Sequence, residues 1–374
     1  MKEIRMVDLK SQYQKIKTAV DSSIAEVIEN TEFINGSQVK NFQQNLENYL
    51  GVKHVIPCGN GTDALQIALM SLGLKAGDEV ITSDFTFIAT LEVIALLGLK
   101  PVIADVDPHT FNISVESLKK AVTPKTKAII PVHLFGQCAD MDAIMTIARK
   151  HSIAVVEDCA QAMGATYTYN GKPAHAGTIG DLGCTSFFPS KNLGCYGDGG
   201  AIMTNNDELA KMCRSIANHG MKVRYYHDHV GVNSRLDTIQ AAVLNVKLQY
   251  LDEYNKSRQE AAAFYDTAFS SSDKLCVPSR NSQSTHIFHQ YTLVLRGIDR
   301  EALRTHLQHK GIPAMIYYPV PLHLQNAYKD LGYKEGDFPV TEQLCKSVIS
   351  LPMHTELDTE QLEYITKSVL EFLS

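Results

Sequence analysis

The most informative segment of the chain is Ser186-Phe187-Phe188-Pro189-Ser190-Lys191-Asn192-Leu193-Gly194-Cys195-Tyr196-Gly197-Asp198-Gly199-Gly200. Its Lys191 lies in a glycine-rich turn that follows an apolar, strand-like run. A lysine held in such a turn is well placed to form a Schiff base with an aldehyde cofactor. By residue type alone a lysine is nearly always a solvated surface charge, so this interpretation depends on the neighbouring motifs.

An acidic residue with a complementary role precedes this segment. The apolar pair Val155-Val156 leads into Glu157-Asp158-Cys159-Ala160-Gln161, so Asp158 ends a predicted buried strand. Pyridoxal phosphate (PLP) needs a lysine for its aldehyde and an acid for its ring nitrogen, which stays protonated beside a carboxylate. The alternative, equally open, is a carboxylate that accepts backbone N–H groups at a strand–helix turn.

The composition is that of a globular protein with one large and one smaller domain. Of 374 residues, 44% are hydrophobic and 20% charged, which is typical of soluble proteins. The net charge of −6 argues against a nucleic-acid surface. The charged start Met1–Arg5 and the lack of a long apolar stretch predict neither a secretory signal nor a membrane span. The eight cysteines form no Cys-x-x-Cys pair, which favours a cytoplasmic protein with reduced thiols over a zinc site.

Hydrophobic periodicity in the first two-thirds of the chain predicts an α/β fold. Helical patterns alternate there with short apolar runs typical of buried strands, which favours a mostly parallel sheet with helices on both faces. The predicted helices span 64–72, 90–97 and 141–150, and the predicted strands span 79–82, 101–106, 128–132 and 153–156.

The pattern changes after about residue 245 and predicts a smaller α+β domain. Its elements are helices at 248–269, 300–310 and 358–373 and a strand at 287–295. We therefore predict a large domain over 1–245 and a small C-terminal domain over 246–374. An N-terminal helix at 8–30 is expected to dock on the small domain.

A glycine-containing turn opens the helix at 64–72. In Gly59-Asn60-Gly61-Thr62-Asp63-Ala64 the glycines permit a close approach of a ligand, and the free N–H groups of a helix N-terminus attract a phosphate. The alternative is an ordinary helix cap by Thr62 or Asp63.

Further residues along the chain are candidates for contacts with the cofactor. Phe87 follows a predicted strand and is able to stack on a flat ring. Ser186 is able to donate a hydrogen bond from its hydroxyl to a phosphate. Gln161 is able to form a hydrogen bond with a substituent of the ring. The cluster Asn233-Ser234-Arg235-Leu236-Asp237 by itself favours a helix-capping loop. The order of all these features, rather than any one of them, points to a PLP site.

The chain resembles the DegT/DnrJ/EryC1/StrS family of nucleotide-sugar aminotransferases, which have PLP fold type I. The likeness extends over essentially the whole chain. The matching segments are Phe33–Gly36, Gly59–Leu65, Phe85–Thr90, Glu157–Gln161, Ser186–Gly200, Asn233–Asp237 and Tyr318–Gln325.

This resemblance implies roles for the residues around the cofactor ring. Lys191 would carry PLP, and Asp158 would pair with its pyridinium nitrogen. Gln161 would contact the ring hydroxyl, and Phe87 would stack on the ring. The cofactor would cycle between PLP and pyridoxamine phosphate.

The resemblance also implies phosphate and sugar contacts. Gly61, Thr62 and Ser186 would hold the cofactor phosphate. Asn233 would reach the phosphate of the neighbouring subunit, so the active sites would be shared within a homodimer. The residues at the positions where the family binds the sugar nucleotide are Arg235, Tyr318 and His323.

Within the family, the likeness is strongest to enzymes that aminate C3 of a UDP-linked 3-keto-N-acetylglucosaminuronic acid used in surface polysaccharides. It rests on stretches such as Cys184–Lys191, Phe135–Asp140 and Gly231–Asp237. Tyr317 departs from the histidine that relatives often carry, which concerns the sugar contacts and not the PLP chemistry.

The expected reaction is a two-step transamination with L-glutamate as amino donor. Lys191 would move the proton between Cα of the donor and the cofactor, as base and then acid. Two alternatives stay open: a dTDP-linked 3-keto-6-deoxyhexose or a 4-keto sugar as acceptor, and a PLP-binding protein without turnover.

Overall fold

The computed structural model of the chain, which describes residues 2–373, contains helices and strands throughout. The strands are β1 (His54–Cys58), β2 (Glu79–Ser83), β3 (Lys100–Ala104), β4 (Thr126–Ile130), β5 (Ala154–Asp158), β6 (Thr166–Tyr169), β7 (Lys172–His175), β8 (Leu182–Ser186), β9 (Gly200–Thr204), β10 (Met221–Val223), β11 (Tyr226–His227), β12 (Leu275–Cys276), β13 (Tyr291–Leu295) and β14 (Val348–Leu351). The α-helices are α1 (Leu9–Glu29), α2 (Ser37–Leu50), α3 (Gly61–Ser71), α4 (Ala89–Leu96), α5 (Val115–Ala121), α6 (Met141–His151), α7 (Asp207–Ala217), α8 (Thr238–Leu248), α9 (Leu251–Phe269), α10 (Arg300–His309), α11 (Pro339–Ser347) and α12 (Thr359–Leu373). Within residues 2–373 no helix is long and apolar enough to cross a membrane.

Seven strands form the central sheet, in the order β1-β9-β8-β5-β4-β2-β3. Strands β3, β2, β4, β5 and β8 are parallel, whereas β9 is antiparallel to both of its neighbours. The prediction of a mostly parallel sheet is therefore confirmed. The carboxyl ends of the parallel strands meet at one edge, where open α/β sheets bind their ligands.

Both faces of this sheet are buried, because successive residues of a strand point to opposite sides. In β5, Val155 joins the core that contains α2, α6 and α8, whereas Val156 joins the core that contains α3, α4 and α7. In β2, Ile81 and Val80 divide in the same way. This alternation explains why the strands are continuous apolar runs in the sequence.

A smaller α+β region follows the central sheet. Its antiparallel sheet has the order β12-β13-β14 and packs with α9, α10 and α12 around a third core. The predicted boundary near residue 245 lies within α8. Helix α9 contributes Leu251 to the large core and Tyr265 to the small one. The division into two domains at that point stays a prediction.

Two elements of this region differ from the predicted ones. The helix expected at 248–269 is interrupted at Tyr250, whose φ and ψ of −107° and 0° are not helical. The strand expected at 287–295 begins only at Tyr291. Ile287 and His289 instead donate their N–H groups to the carbonyls of Gly136 and Phe135, each at 2.9 Å, so this segment pairs with the loop between β4 and α6.

Helix α1 lies along α8 rather than wholly on the small domain. Ile16 and Val20 pack against Val243 and Val246 of α8. The helix also reaches the C-terminal region through an ion pair of 2.6 Å between Lys15 Nζ and Glu356 Oε2. Helix α1 therefore bridges the two regions.

Candidate active site

A cavity of about 790 Å³ opens at the carboxyl edge of the central sheet. This volume is in the range that holds a cofactor or a small ligand, roughly 300–1,000 Å³. Most of the residues predicted for the site lie on its wall. These are Gly61, Thr62, Phe87, Asp158, Gln161, Ser186, Lys191 and Tyr318.

Lys191 lies in the turn after β8 and is half-buried on the cavity wall. The turn is closed by hydrogen bonds from Lys191 N to Phe188 O and from Cys195 N to Phe187 O, both 2.8 Å. Its next residue, Asn192, is buried and donates to Asn255 Oδ1 at 2.7 Å. Burial lowers the pKa of Lys191 to about 8, although the charge of Asp158 acts in the opposite direction. A neutral amine is therefore accessible close to neutral pH, as a nucleophile or a base requires.

Asp158 ends β5 and presents its carboxylate to the same cavity. Its side chain accepts hydrogen bonds from Thr90 Oγ1 at 2.8 Å and from Ala160 N at 3.1 Å. The residue is only 6% exposed. The bond from Ala160 N is the kind of backbone contact at a strand–helix turn that was the alternative role for this carboxylate. It uses only one carboxylate oxygen, and the side chain also lines the cavity.

Behind Asp158 lies a buried pair that the sequence analysis missed. Glu157 Oε2 lies 2.8 Å from His133 Nε2, and both side chains are fully buried. His133 Nδ1 accepts the N–H of Ala139, so its proton is on Nε2 and points at Glu157. Glu157 also accepts three backbone N–H groups, from residues 177, 179 and 180. Since successive residues of a strand face opposite sides, Glu157 holds β5 in place while Asp158 faces the cavity.

The side-chain amide of Gln161 is oriented by two partners. Its Oε1 accepts the N–H of Phe135 at 2.8 Å, and its Nε2 donates to the hydroxyl of Tyr318 at 3.0 Å. Tyr318 therefore reaches the cavity from the C-terminal region and orients Gln161, which follows β5. Phe87 is 55% exposed and leaves its ring open to the cavity.

An anion site lies at the start of α3. Asn60, and not Thr62 or Asp63, caps this helix, accepting Asp63 N at its side chain and Ala64 N at its carbonyl. Among the described residues, the N–H groups of Gly61 and Thr62 have no acceptor, so they are free for a phosphate. A Cβ on Gly61 would come within 2.7 Å of Cβ of Ser186. Only glycine allows Ser186 to lie against this helix end.

Three predicted residues lie elsewhere. Asn233 is exposed and Arg235 half-buried, and neither lines the cavity of its own chain. The loop that carries them is fixed to α3, because Ser234 Oγ donates to Asp63 Oδ2 at 2.6 Å. His323 is fully buried against Asp84. The structure therefore does not bring His323 to the position expected for a sugar contact, since its side chain points into the protein.

The cavity also has polar residues to which no role was assigned from the sequence. His289 and Thr86 line it and are 7% and 2% exposed. Burial lowers the pKa of His289 well below its usual value, and the charge of Lys191 acts in the same direction. The imidazole is therefore neutral beside the lysine. The periodicity of 287–295 predicted only a strand, whereas the position of His289 depends on its backbone hydrogen bond to Phe135.

Comparison with known proteins gives the family. The profile of the DegT/DnrJ/EryC1/StrS aminotransferase family matches residues 14–370. A pleiotropic regulatory protein of Geobacillus stearothermophilus is 48% identical over 99% of this chain and 98% of its own length. The UDP-2-acetamido-2-deoxy-3-oxo-D-glucuronate aminotransferase of Pseudomonas aeruginosa is 46% identical over 97% and 98%. The dTDP-3-amino-3,4,6-trideoxy-alpha-D-glucose transaminase of Streptomyces venezuelae is 37% identical over 99% and 96%.

Solved structures show the same fold. A DegT DnrJ EryC1 StrS aminotransferase from Brucella abortus has a TM-score of 0.94 and 40% identity, with 99% of each chain covered. A sugar aminotransferase of Streptococcus pneumoniae, solved in its PLP form, has a TM-score of 0.88 and 26% identity, with 96% of this chain and 97% of that chain covered. The full-length match, the fold and the lysine–aspartate cavity agree, and the chain belongs to the DegT/DnrJ/EryC1/StrS aminotransferase family.

Proposed function

We propose that the protein uses PLP to transfer the amino group of L-glutamate to a nucleotide-linked keto sugar. The acceptor is C3 of UDP-2-acetamido-2-deoxy-3-oxo-D-glucuronic acid, in surface polysaccharide biosynthesis. The observation that carries the reaction is the meeting of Lys191, Asp158 and the free N-terminus of α3 in one cavity. The 46% identity to the Pseudomonas enzyme supports the acceptor.

The residues of the cavity fit PLP. The free N–H groups of α3 and the hydroxyl of Ser186 suit its phosphate, and Asp158 suits its ring nitrogen. Lys191 suits its aldehyde, and the ring of Phe87 suits a stacked position. When bound, PLP supplies an electron-accepting ring to the amino-acid substrate.

Lys191 also performs the proton transfer in this proposal. Its amine, when it is not bound to the cofactor, would accept the proton from Cα of glutamate as a base and then give a proton to the cofactor as an acid. A base works best when its pKa is close to the working pH, and burial brings the pKa of Lys191 to about 8. The neutral His289 adds no competing charge at this point of the cavity.

The active sites are shared within a homodimer in this proposal. Asn233 is exposed at the end of a loop fixed to α3, and Arg235 has no hydrogen bond or ion pair with any residue of the described chain 2–373. A half-buried guanidinium without a partner is well suited to a ligand of a second subunit. The free thiols of all eight cysteines support a reducing, cytoplasmic location.

Arg235 is expected to bind the carboxylate of the uronic acid. Replacing Arg235 with alanine should raise KM for the sugar about tenfold or more, because a charge-assisted bidentate contact is lost. The kinetics of the glutamate half-reaction should stay unchanged. Arg149→Ala, which removes an exposed arginine bonded to Tyr169, serves as the control. An unchanged KM for Arg235→Ala would exclude this assignment.

The acceptor is tested by visible absorption. Protein supplied with PLP should show a yellow band that L-glutamate bleaches, with release of 2-oxoglutarate. The UDP-3-keto-uronic acid should restore the band. The second candidate acceptor is a dTDP-linked 3-keto sugar, because the Streptomyces enzyme is 37% identical to this chain. If only this sugar or a 4-keto sugar restored the band, that sugar would be the substrate instead. A protein that binds PLP but releases no 2-oxoglutarate would be catalytically silent.

A further inference from the structure

A buried ionic cluster joins three segments of the chain beside the cavity. Asp84 directly follows β2, and its Oδ2 lies 2.6 Å from Nδ1 of His323. The Oδ1 of Asp84 accepts the backbone N–H of His323 at 2.9 Å. On the other side of the imidazole, His323 Nε2 lies 3.3 Å from Oε1 of Glu342 in α11. The side chains of Asp84 and His323 are fully buried, and that of Glu342 is 9% exposed.

The surroundings of His323 favour a charged imidazole. Its Nδ1 is hydrogen-bonded to Asp84, and its Nε2 lies 3.3 Å from Oε1 of Glu342 without forming a hydrogen bond among the described residues. Both ring nitrogens are therefore close to a carboxylate, and the imidazolium is the form that carries an N–H on both. Burial opposes this charge, but the hydrogen bond and charge of Asp84, together with Glu342, raise the pKa of His323. Glu342 is itself fixed, because its Oε1 also accepts the N–H of Gly336 at 2.7 Å.

The two segments joined by His323 both continue into the cavity wall. Asp84 begins the loop that contains Phe85 and Phe87, and His323 follows the segment that contains Tyr318. The ring centroid of Tyr318 lies 6.0 Å from that of Phe85 and 6.4 Å from that of Phe87. The hydroxyl of Tyr318 in turn accepts the hydrogen bond that orients Gln161.

We propose that His323 is a positioning residue: its contacts with Asp84 and Glu342 set the spacing between the Phe87 loop and Tyr318. A change at His323 therefore reaches the cavity through Tyr318 and Gln161, although the imidazole itself does not line it. The kinetic consequences rest on the proposed function, whereas the charged contact and its effect on the wall do not.

The charged contact is tested first on the wild-type protein. Nitrogen-resolved NMR of the histidine side chains at neutral pH should show one imidazole with protected N–H signals on both nitrogens. Asp84→Asn should remove the Nδ1–H signal or shift it strongly. This result needs no cofactor and no turnover. A His323 ring with a single protonated nitrogen in the wild type would overturn the proposal directly.

The positioning role is tested with His323→Asn. We expect kcat to fall about 10- to 100-fold, as misplacement of a reacting group by about 1 Å produces, and the affinity for PLP to fall with it. KM for glutamate should change by less than about twofold. The matched control is His354→Asn, because His354 is 2% exposed, close to the 1% of His323, and does not line the cavity. The control should lose stability without losing PLP affinity.

A second variant covers a failure of His323→Asn to fold. Glu342→Gln keeps the acceptor for Gly336 but removes the charge that faces Nε2, so it should reduce kcat in the same direction by a smaller factor. Folded His323→Asn or Glu342→Gln proteins with wild-type PLP affinity and kcat would overturn the positioning role. If the wild type itself does not bind PLP, the proposed function fails, and the NMR result still decides the charged contact.

Discussion

Replacing Lys191 with alanine is expected to reduce amino-group transfer about 10⁴-fold, because one residue supplies both the covalent attachment and the proton transfer. Release of 2-oxoglutarate from glutamate in a single turnover measures the loss. Binding of PLP by the remaining contacts should persist in weaker form, since the phosphate site at α3 and Asp158 are unchanged.

The same substitution is expected not to destabilise the protein without PLP at neutral pH. The pKa of Lys191 is about 8 in the folded chain and roughly 10.4 in an unfolded one. Between these values the unfolded chain binds more protons, so stability rises with pH across this window, and below it the buried charge costs stability. Thermal unfolding should therefore show no loss for Lys191→Ala.

Lys247 provides the matched control for Lys191. Its side chain is buried, whereas that of Lys191 is half-buried, and in both residues burial lowers the pKa to about 8. It lies in α8 beside the ring of Tyr196 and does not line the cavity. Lys247→Ala should keep transamination. Wild-type turnover by Lys191→Ala, or an equal loss in Lys247→Ala, would contradict the assignment of Lys191.

Replacing Asp158 with asparagine is expected to reduce kcat about 10²- to 10³-fold, in the range of a lost preorganised electrostatic contact. The substitution keeps the shape of the side chain and an oxygen for Thr90, but it removes the charge that keeps a ring nitrogen protonated. The rates of the two half-reactions, measured separately, should both fall. The protein should remain folded, because Glu157 and His133 continue to hold β5.

Thr90→Val separates the charge of Asp158 from its orientation. This change removes the hydrogen bond of 2.8 Å to Asp158 and leaves the carboxylate in place. We expect a loss of about tenfold or less, smaller than that of Asp158→Asn. Equal losses in the two variants would mean that orientation, and not charge, is the contribution of Asp158. A folded Asp158→Asn protein with wild-type kcat would exclude both roles.

Much of the central fold could be predicted because its signals are local. Apolar runs such as 79–82 and 153–156 are buried on both faces, so their composition identifies them as inner strands. In the structure, Asp158 ends β5 and Lys191 follows β8, and these parallel strands end at a common edge of the sheet. Asp158 and Lys191 do line one cavity.

Local sequence patterns were sufficient to predict the α/β class, the family and the order of the cavity residues, because these depend on periodicity and on motifs within short segments. The folded structure was needed to show which way His323 points, that Glu157 pairs with His133 behind Asp158, and that 287–290 pairs with the loop between β4 and α6. These contacts join residues that are far apart in the chain. Their geometry depends on the packing of whole elements, and no local pattern contains it.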